Sequence, residues 1–231
     1  AGNVNTGSFD PIAAIADALL NEQQRRKFEQ DWELCIAFRH PIAGRMRVTL
    51  YRRNGLQELS LRFCGYEIPR REVLGLPQQV DDLARKSNGL VLITGPTGAG
   101  KTTTLNYLVD VINSERRCKI VTIEDPIEFV HQNKRAIVVQ QEVLTDVRSF
   151  NRALVHVLRQ DPDVIVVGEM RDFEAISTAL MAAETGHLVL ATMHSPNVSH
   201  ALERIIGVFE GSAQRQIVLQ LANALQGIIE N

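Results

Sequence analysis

The chain has 231 residues, and its 25 lysines and arginines against 27 aspartates and glutamates give a formal net charge of −2. The content of 45% hydrophobic and 23% charged residues is that of a folded globular protein, which excludes a mainly disordered chain. The near-neutral charge balance argues against binding to nucleic acid through bulk charge. The apolar runs are too short to cross a bilayer, so no transmembrane segment is predicted.

The three cysteines, Cys35, Cys64 and Cys118, are too widely spaced to form a CxxC pair or a zinc motif. An odd number of cysteines in a chain of ordinary composition is typical of free thiols in a reducing compartment. The first 20 residues lack the basic segment of a signal peptide. We therefore expect a cytoplasmic protein.

Residues 1–68 are predicted to form a small α+β unit. A loose arm is expected at residues 1–10, and helical spacing begins at Asp10-Pro11 and extends to residue 34. The period then changes, and an Asn54-Gly55 dipeptide marks a hairpin turn. The predicted strands cover residues 35–38, 46–51 and 57–63. A linker and one helix are expected over residues 69–88.

Residues 89–231 have the pattern of an α/β fold. The apolar segments GLVLIT, KIVTIE, VIVVGE and HLVLATM alternate with helical segments, and loops are expected after KIVTIE until about residue 149. Continuous apolar strands separated by helices predict a buried, mainly parallel sheet with helices on both faces. The last residues, Ile229-Glu230-Asn231, are expected to belong to an apolar helical pattern.

The motif GPTGAGKT at residues 95–102, between the first of these strands and the following helix, predicts a phosphate-binding loop (P-loop). Its glycines allow the backbone to fold around an anion, and the N–H groups at the helix start point at phosphate. The lysine should reach the β- and γ-phosphates, and the threonine after it should bind Mg²⁺. The predicted nucleotide-binding residues are Gly95, Pro96, Thr97, Gly98, Ala99, Gly100, Lys101, Thr102 and Thr103.

Acidic residues and a histidine follow three other predicted strands. Glu124, Asp125 and Glu128 follow KIVTI, Glu169 follows VIVV, and His194 ends the strand LVLATM. Because ligands of parallel sheets bind outside the carboxyl ends of the strands, these groups should lie beside the P-loop. Carboxylates there can hold the waters of a metal ion or orient an attacking water.

The two histidines that flank one strand are predicted to differ in role. Seven extended residues span roughly 23 Å, so His187 and His194 cannot both contact one phosphate. His194, at the P-loop edge, is the candidate γ-phosphate sensor. His187 is interpreted as a structural or intersubunit contact.

Arginines recur in the predicted strands of the first unit, among them Arg45, Arg47 and Arg62. One interpretation is a solvated basic face. The other is a set of arginines offered to the nucleotide of a neighbouring subunit, because the guanidinium stays charged and binds phosphate with two N–H groups.

Five segments together resemble those of a known family. GPTGAGKTT, TIEDPIEFVHQ, QDPDVIVVGEMRD, AAETGHLVLATMH and ALERIIGVF are similar to the secretion ATPase superfamily, and within it to type IV pilus retraction ATPases. The resemblance implies a hexameric cytoplasmic motor that uses ATP and Mg²⁺. It also implies a RecA-like core preceded by a partial PAS-like domain, in a chain that lacks the extreme N-terminus and the helical C-terminal domain of the family.

The resemblance implies roles for individual residues. Glu128 would be the catalytic glutamate of an Asp box that includes Glu124 and Asp125. Glu169 would lie near Mg²⁺ in a Walker B motif that includes Arg171. His187 and His194 would form the His box, and Arg45, Arg47 and Arg62 would act on a neighbour's nucleotide. The implied partners are an inner-membrane pilus platform protein and other pilus machinery, which would hold the motor at the membrane periphery.

Other functions remain open at this point. A pilus extension ATPase or a type II secretion ATPase has the same core. A non-hydrolysing nucleotide-binding assembly factor could also carry a P-loop. A nucleic-acid translocase would need stacking aromatics and a basic groove, which the 5% aromatic content and the charge balance argue against.

Overall fold

A computed structural model describes residues 11–42, 44–63 and 67–231. The chain divides into two compact units, residues 1–64 and residues 65–231. The arm expected at residues 1–10 lies outside the described residues. None of the described helices has the length and hydropathy that crossing a membrane requires.

The first unit contains two helices and a three-stranded antiparallel sheet of order β1-β2-β3. Its elements are α1 (Pro11–Leu19), α2 (Glu22–Asp31), β1 (Glu33–His40), β2 (Gly44–Arg53) and β3 (Leu56–Phe63). The helical stretch predicted over residues 11–34 is thus two helices, the second of which ends at Asp31, and the prediction is wrong for residues 33 and 34, which belong to β1. Asn21 caps the second one: its side chain accepts from the Gln24 N–H, and the Gln24 side chain accepts from the Asn21 N–H.

The second unit is built on a six-stranded sheet of order β6-β5-β7-β8-β4-β9, in which every described strand pair is parallel. This confirms the predicted α/β fold with a parallel sheet. The strands are β4 (Gly89–Gly95), β5 (Lys119–Glu124), β6 (Ile137–Glu142), β7 (Val164–Val167), β8 (Leu188–His194) and β9 (Leu225–Glu230). The helices are α3 (Gln79–Ala84), α4 (Lys101–Glu115), α5 (Phe150–Val157), α6 (Phe173–Glu184), α7 (Val198–Gly207) and α8 (Ser212–Ala224).

Alternate residues of the central strands face two separate hydrophobic clusters. Leu90 and Leu92 of β4 pack with residues of α5, α6, α7 and α8 on one face. Val91 and Ile93 pack with residues of α3 and α4 on the other face. Because both faces are covered, the central strands are continuously apolar rather than alternating, and this is the pattern from which the sequence predicts them.

Two strands differ from the sequence-based expectation. β6 occupies part of the region expected to be loop; it lies at the sheet edge and contains Gln140 and Gln141, so it lacks the apolar pattern of a buried strand. The helical pattern expected at Ile229-Glu230-Asn231 is wrong, because residues 225–230 form β9 and pair with β4. Pairing with β4 satisfies those backbone groups of this edge strand that point towards β4.

Candidate nucleotide-binding site

The loop between β4 and α4 has the backbone that a bound anion requires. Gly95, Gly98 and Gly100 have φ values of 147°, 83° and 96°, which a side chain would strain. Apart from Gly98 and its two chain neighbours, no heavy atom of the described residues lies within 4 Å of a Cβ built on Gly98, so the loop is open on that side. The N-cap residue of α4 is Gly100, which has no side chain to cap the first turn, so the N–H groups there can serve a ligand.

Lys101 is buried at the start of α4, and its ammonium group is held inside the loop. Nζ donates to the carbonyl oxygens of Gly95 at 3.0 Å and Pro96 at 2.8 Å, and lies 3.2 Å from Nδ1 of His194. Burial lowers the pKa of Lys101, and the negative charge of Glu169 opposes that shift. The lysine is thus already aimed at the concave side of the loop.

His194 connects Lys101 with Glu169. An ammonium group only donates, so Nδ1 of His194 accepts and the proton of the neutral ring is on Nε2. That Nε2 lies 3.6 Å from Oε1 of Glu169, while Oε2 of Glu169 accepts from Nε of Arg171 at 2.8 Å. The structure therefore brings together four of the predicted site residues in one row: Lys101, His194, Glu169 and Arg171.

The end of β7 approaches β5 closely before it reaches Glu169. A Cβ on Gly168 would lie 3.0 Å from the Ile123 carbonyl oxygen and 3.3 Å from Cα of Glu124. The Thr192 hydroxyl of β8 donates to the Gly168 carbonyl, and the Met170 N–H donates to the Thr192 carbonyl at 2.9 Å. Thr192 fixes the turn that carries Glu169, a role that its apolar strand context did not indicate.

The acids after β5 do not share one environment. Glu124 is buried and accepts from the Thr122 hydroxyl at 2.7 Å and from Nε2 of Gln140 at 3.0 Å, so it joins β5 to β6. Asp125 is exposed, and Glu128 is half-buried on the loop between β5 and β6. Of the three, Glu124 is therefore held by hydrogen bonds inside the fold, whereas Asp125 and Glu128 are accessible to solvent.

Asn231 lies beside the P-loop and was not predicted there. Its N–H donates to the Thr94 carbonyl at 2.9 Å, and its side-chain Nδ2 donates to the Thr104 hydroxyl at 2.8 Å. A Cβ on Gly95 would lie 2.8 Å from the Asn231 carbonyl oxygen, so this approach requires glycine at position 95.

His187 lies at the opposite end of β8 from His194. Its Nδ1 donates to the Ala182 carbonyl at 3.0 Å and lies 3.4 Å from the Thr185 hydroxyl. The structure therefore does not bring His187 to the P-loop, and its contacts join α6 to the start of β8.

The predicted arginines lie in the first unit, on one face of its sheet. Arg47 of β2 is directly opposite Arg62 of β3, and Arg45 is directly opposite Arg39 of β1. Nε of Arg47 also lies 2.9 Å from Sγ of Cys35. The sheet register therefore places like charges directly opposite each other.

The loop and its surroundings fit a nucleoside triphosphate with Mg²⁺. The positive-φ glycines, the uncapped helix start and the buried lysine form a cradle for phosphate oxygens. Thr102 follows Lys101 in the first turn of α4, and Glu169 lies within the same row as that lysine. A hydroxyl and a carboxylate are the hard oxygen ligands that Mg²⁺ prefers.

The fold and this site define a P-loop nucleotide-binding protein with a parallel α/β core. The sequence profile of the family described as Type II/IV secretion system protein matches residues 71–231. The chain belongs to this family.

Two relatives and one solved structure resemble the chain along most of its length. The type IV pilus retractation ATPase PilT of Pseudomonas aeruginosa is 39% identical over 94% of this chain and 63% of that protein. The type IV pilus ATPase PilU of the same organism is 42% identical over 91% of this chain and 55% of that protein. A crystal structure of the pilus retraction motor PilT with bound ADP has a TM-score of 0.87 and 43% identity, covering 94% of this chain and 64% of that one. The chain thus spans less than two thirds of the length of these relatives.

Proposed function

We propose that this chain carries the ATP-hydrolysing core of a motor that powers type IV pilus retraction. The observation that carries the proposal is the row formed by Lys101, His194 and Glu169 beside an uncapped helix start. A P-loop lysine with a histidine and a carboxylate at neighbouring strand ends can bind a triphosphate and respond to its terminal phosphate. The similarity to PilT along 94% of the chain supports the retraction assignment.

Each residue of the row would have a distinct task. Lys101 would exchange its two carbonyl contacts for the β- and γ-phosphates. Thr102 would bind Mg²⁺ through its hydroxyl and Glu169 would hold it through a water, and the metal would neutralise phosphate charge when bound. His194 would contact the γ-phosphate and report its presence to Glu169. Glu128 would orient the attacking water as the catalytic base.

The chain would act within a larger assembly. We propose residues 1–68 as a partial PAS-like domain, residues 69–88 as a linker with a helix, and residues 89–231 as the RecA-like core. The complete protein would form a homo-hexamer in the cytoplasm, held at the inner membrane by a pilus platform protein. Arg45, Arg47 and Arg62 would serve the nucleotide of a neighbouring copy, a role that suits the guanidinium because it stays charged and binds phosphate with two N–H groups.

Two measurements test the proposal. Purified protein should hydrolyse ATP with Mg²⁺ and stop when EDTA removes the metal; nucleotide binding without turnover would favour an assembly factor. In the bacterium that encodes the chain, deletion of its gene should leave surface pili that extend but do not retract under fluorescence microscopy. Loss of surface pili would instead indicate an extension motor, and loss of protein secretion with normal pili would indicate a type II secretion ATPase.

A further inference from the structure

We propose that His131 and Asn106 form a positioning pair that sets the location of Glu128 relative to the P-loop helix. The proposal rests on the proposed ATPase function and deepens it. Neither residue is among the predicted site residues. Both are buried, and they lie 25 positions apart in the sequence.

The loop that carries Glu128 is fastened to β6 on both sides of that residue. Before it, the Ile127 N–H donates to Oε2 of Glu142 at 3.0 Å. After it, Nε2 of Gln140 donates to the Phe129 carbonyl at 2.8 Å. The His131 N–H then donates to Oε1 of the same glutamine at 2.8 Å. These bonds fix the backbone around Glu128 to β6, and His131 lies at the end of the segment that they fix.

His131 ties the end of this loop to α4. Its Nε2 lies 2.8 Å from Oδ1 of Asn106, and Nδ2 of Asn106 donates to the Thr102 carbonyl at 2.8 Å. Since the Asn106 amide nitrogen is the donor to Thr102, its Oδ1 accepts, and the histidine donates from Nε2. Burial lowers the pKa of His131 to about 4, so the ring is neutral and this donor arrangement is kept near pH 7.

The second ring nitrogen of His131, Nδ1, supports a linking role for the bond from Nε2 to Asn106. Nδ1 of His131 is buried and has no hydrogen-bond partner among the described residues. An unpaired buried acceptor is unfavourable for folding. The bond from Nε2 to Asn106 is thus the polar contact through which the imidazole links two elements, whereas a purely space-filling role would favour an apolar ring.

The resulting chain of contacts has a proposed ligand-binding residue at each end. Thr102, at one end, is assigned to Mg²⁺, and Glu128, at the other, to the attacking water. Asn106 is one helical turn beyond Thr102, so a shift of α4 on nucleotide binding would be passed through His131 to the loop. The pair would act on the reaction through Glu128 rather than by touching the nucleotide.

Three variants of the full-length protein test this bond. His131→Phe keeps a planar ring and removes only the donor, whereas Asn106→Leu removes the acceptor together with the amide that donates to the Thr102 carbonyl. His131→Gln retains an amide N–H at about the distance of Nε2. His156→Phe, on the exposed face of α5, is the matched control for replacing a histidine with phenylalanine.

Steady-state ATP hydrolysis and nucleotide binding should separate positioning from general damage. We expect His131→Phe and Asn106→Leu each to lower kcat tenfold or more while the affinity for ADP stays within about twofold of wild type. His131→Gln should recover most of the lost kcat, and His156→Phe should match wild type. A kcat within twofold of wild type in either bond-breaking variant with a normal far-UV spectrum would overturn the proposal.

The decisive comparison measures the effect of His131→Phe in the wild-type protein and in the Glu128→Gln variant. If His131 acts through Glu128, adding His131→Phe to Glu128→Gln should not lower the residual turnover further. An equal tenfold loss in both backgrounds would mean a role independent of Glu128 and would overturn the inference. The result is separable from the proposed function, because a wild-type protein that binds but never hydrolyses ATP fails the ATPase proposal before any variant is compared.

Discussion

Lys101 and His194 are in contact, Nζ to Nδ1 at 3.2 Å, although 93 positions separate them in the sequence. The parallel pairing of β4 with β8 places Gly95 opposite His194, which brings the histidine to the loop that holds the lysine. The contact joins the group proposed to bind phosphate to the group proposed to sense it. Because Glu169 lies on the far side of the same imidazole, occupancy of the phosphate site should change the environment of the carboxylate.

Lys101→Ala should abolish ATP turnover, because it deletes the charge that faces the β- and γ-phosphates. The measurement is steady-state phosphate release with Mg²⁺. Lys27→Ala is the matched control, since Lys27 is an exposed helix residue that pairs with Asp31. Full activity of Lys101→Ala would exclude the P-loop assignment.

Glu128→Gln should bind ATP but hydrolyse it at least about 10²-fold more slowly, because the amide keeps the shape and loses the charge that orients water. Glu169→Gln should also change the Mg²⁺ concentration needed for half-maximal turnover. Metal titrations of both variants separate the two roles. If Glu128→Gln turned over normally and Glu169→Gln were inactive, the roles would be reversed.

Mixing two inactive variants should restore some turnover if the arginines act between subunits. Lys101→Ala subunits keep their arginines, and subunits with Arg47→Ala and Arg62→Ala keep their P-loop. Only interfaces that pair an intact P-loop with intact arginines would work, so the recovery should be modest. Turnover per subunit that stays constant on dilution to a demonstrated monomer would contradict action between subunits.

Acid should destabilise the fold partly through His131. Its pKa is about 4 in the folded chain against an ordinary value of 6.5, so the unfolded chain takes up a proton that the folded chain resists. This contribution to the free energy of unfolding is fully present above about pH 6.5 and decreases as the pH falls. By pH 4 the loss amounts to about 3 kcal/mol. Urea unfolding at pH 7 and pH 4 should show this extra loss in wild type but not in His131→Gln. Equal losses in the two proteins would show that His131 titrates normally.

The predictable parts of the molecule are those with local patterns. The P-loop spacing from Gly95 to Thr102 and the apolar strands at 89–95 and 188–194 identified the sheet and the edge where the site lies. β6 was missed because its apolar run, Ile137 to Val139, is only three residues long before Gln140 and Gln141. β9 was missed because its segment follows α8 directly and continues an apolar pattern.

The contacts that could not be predicted are those between distant segments. Nothing in the spacing of Asn106 and His131 indicates that they meet, since they belong to a helix and to a loop after another strand. The same holds for Asn231 and Thr104, which pairing of β9 with β4 brings together. Sequence periodicity reports which face of an element is buried, but not which polar side chains meet across elements.

The uninterrupted hydrogen-bonded ladder between β4 and β8 limits which parts of the second unit can change conformation when a nucleotide binds. Seven consecutive residues pair from Gly89 with Leu188 to Gly95 with His194. Amides in this interior ladder should exchange with deuterium last, and the two strand ends should travel as one body. Exchange of the amides in residues 125–136, measured with and without ADP or a triphosphate analogue, would then show whether nucleotide binding changes the loop that carries Glu128 while the ladder stays protected.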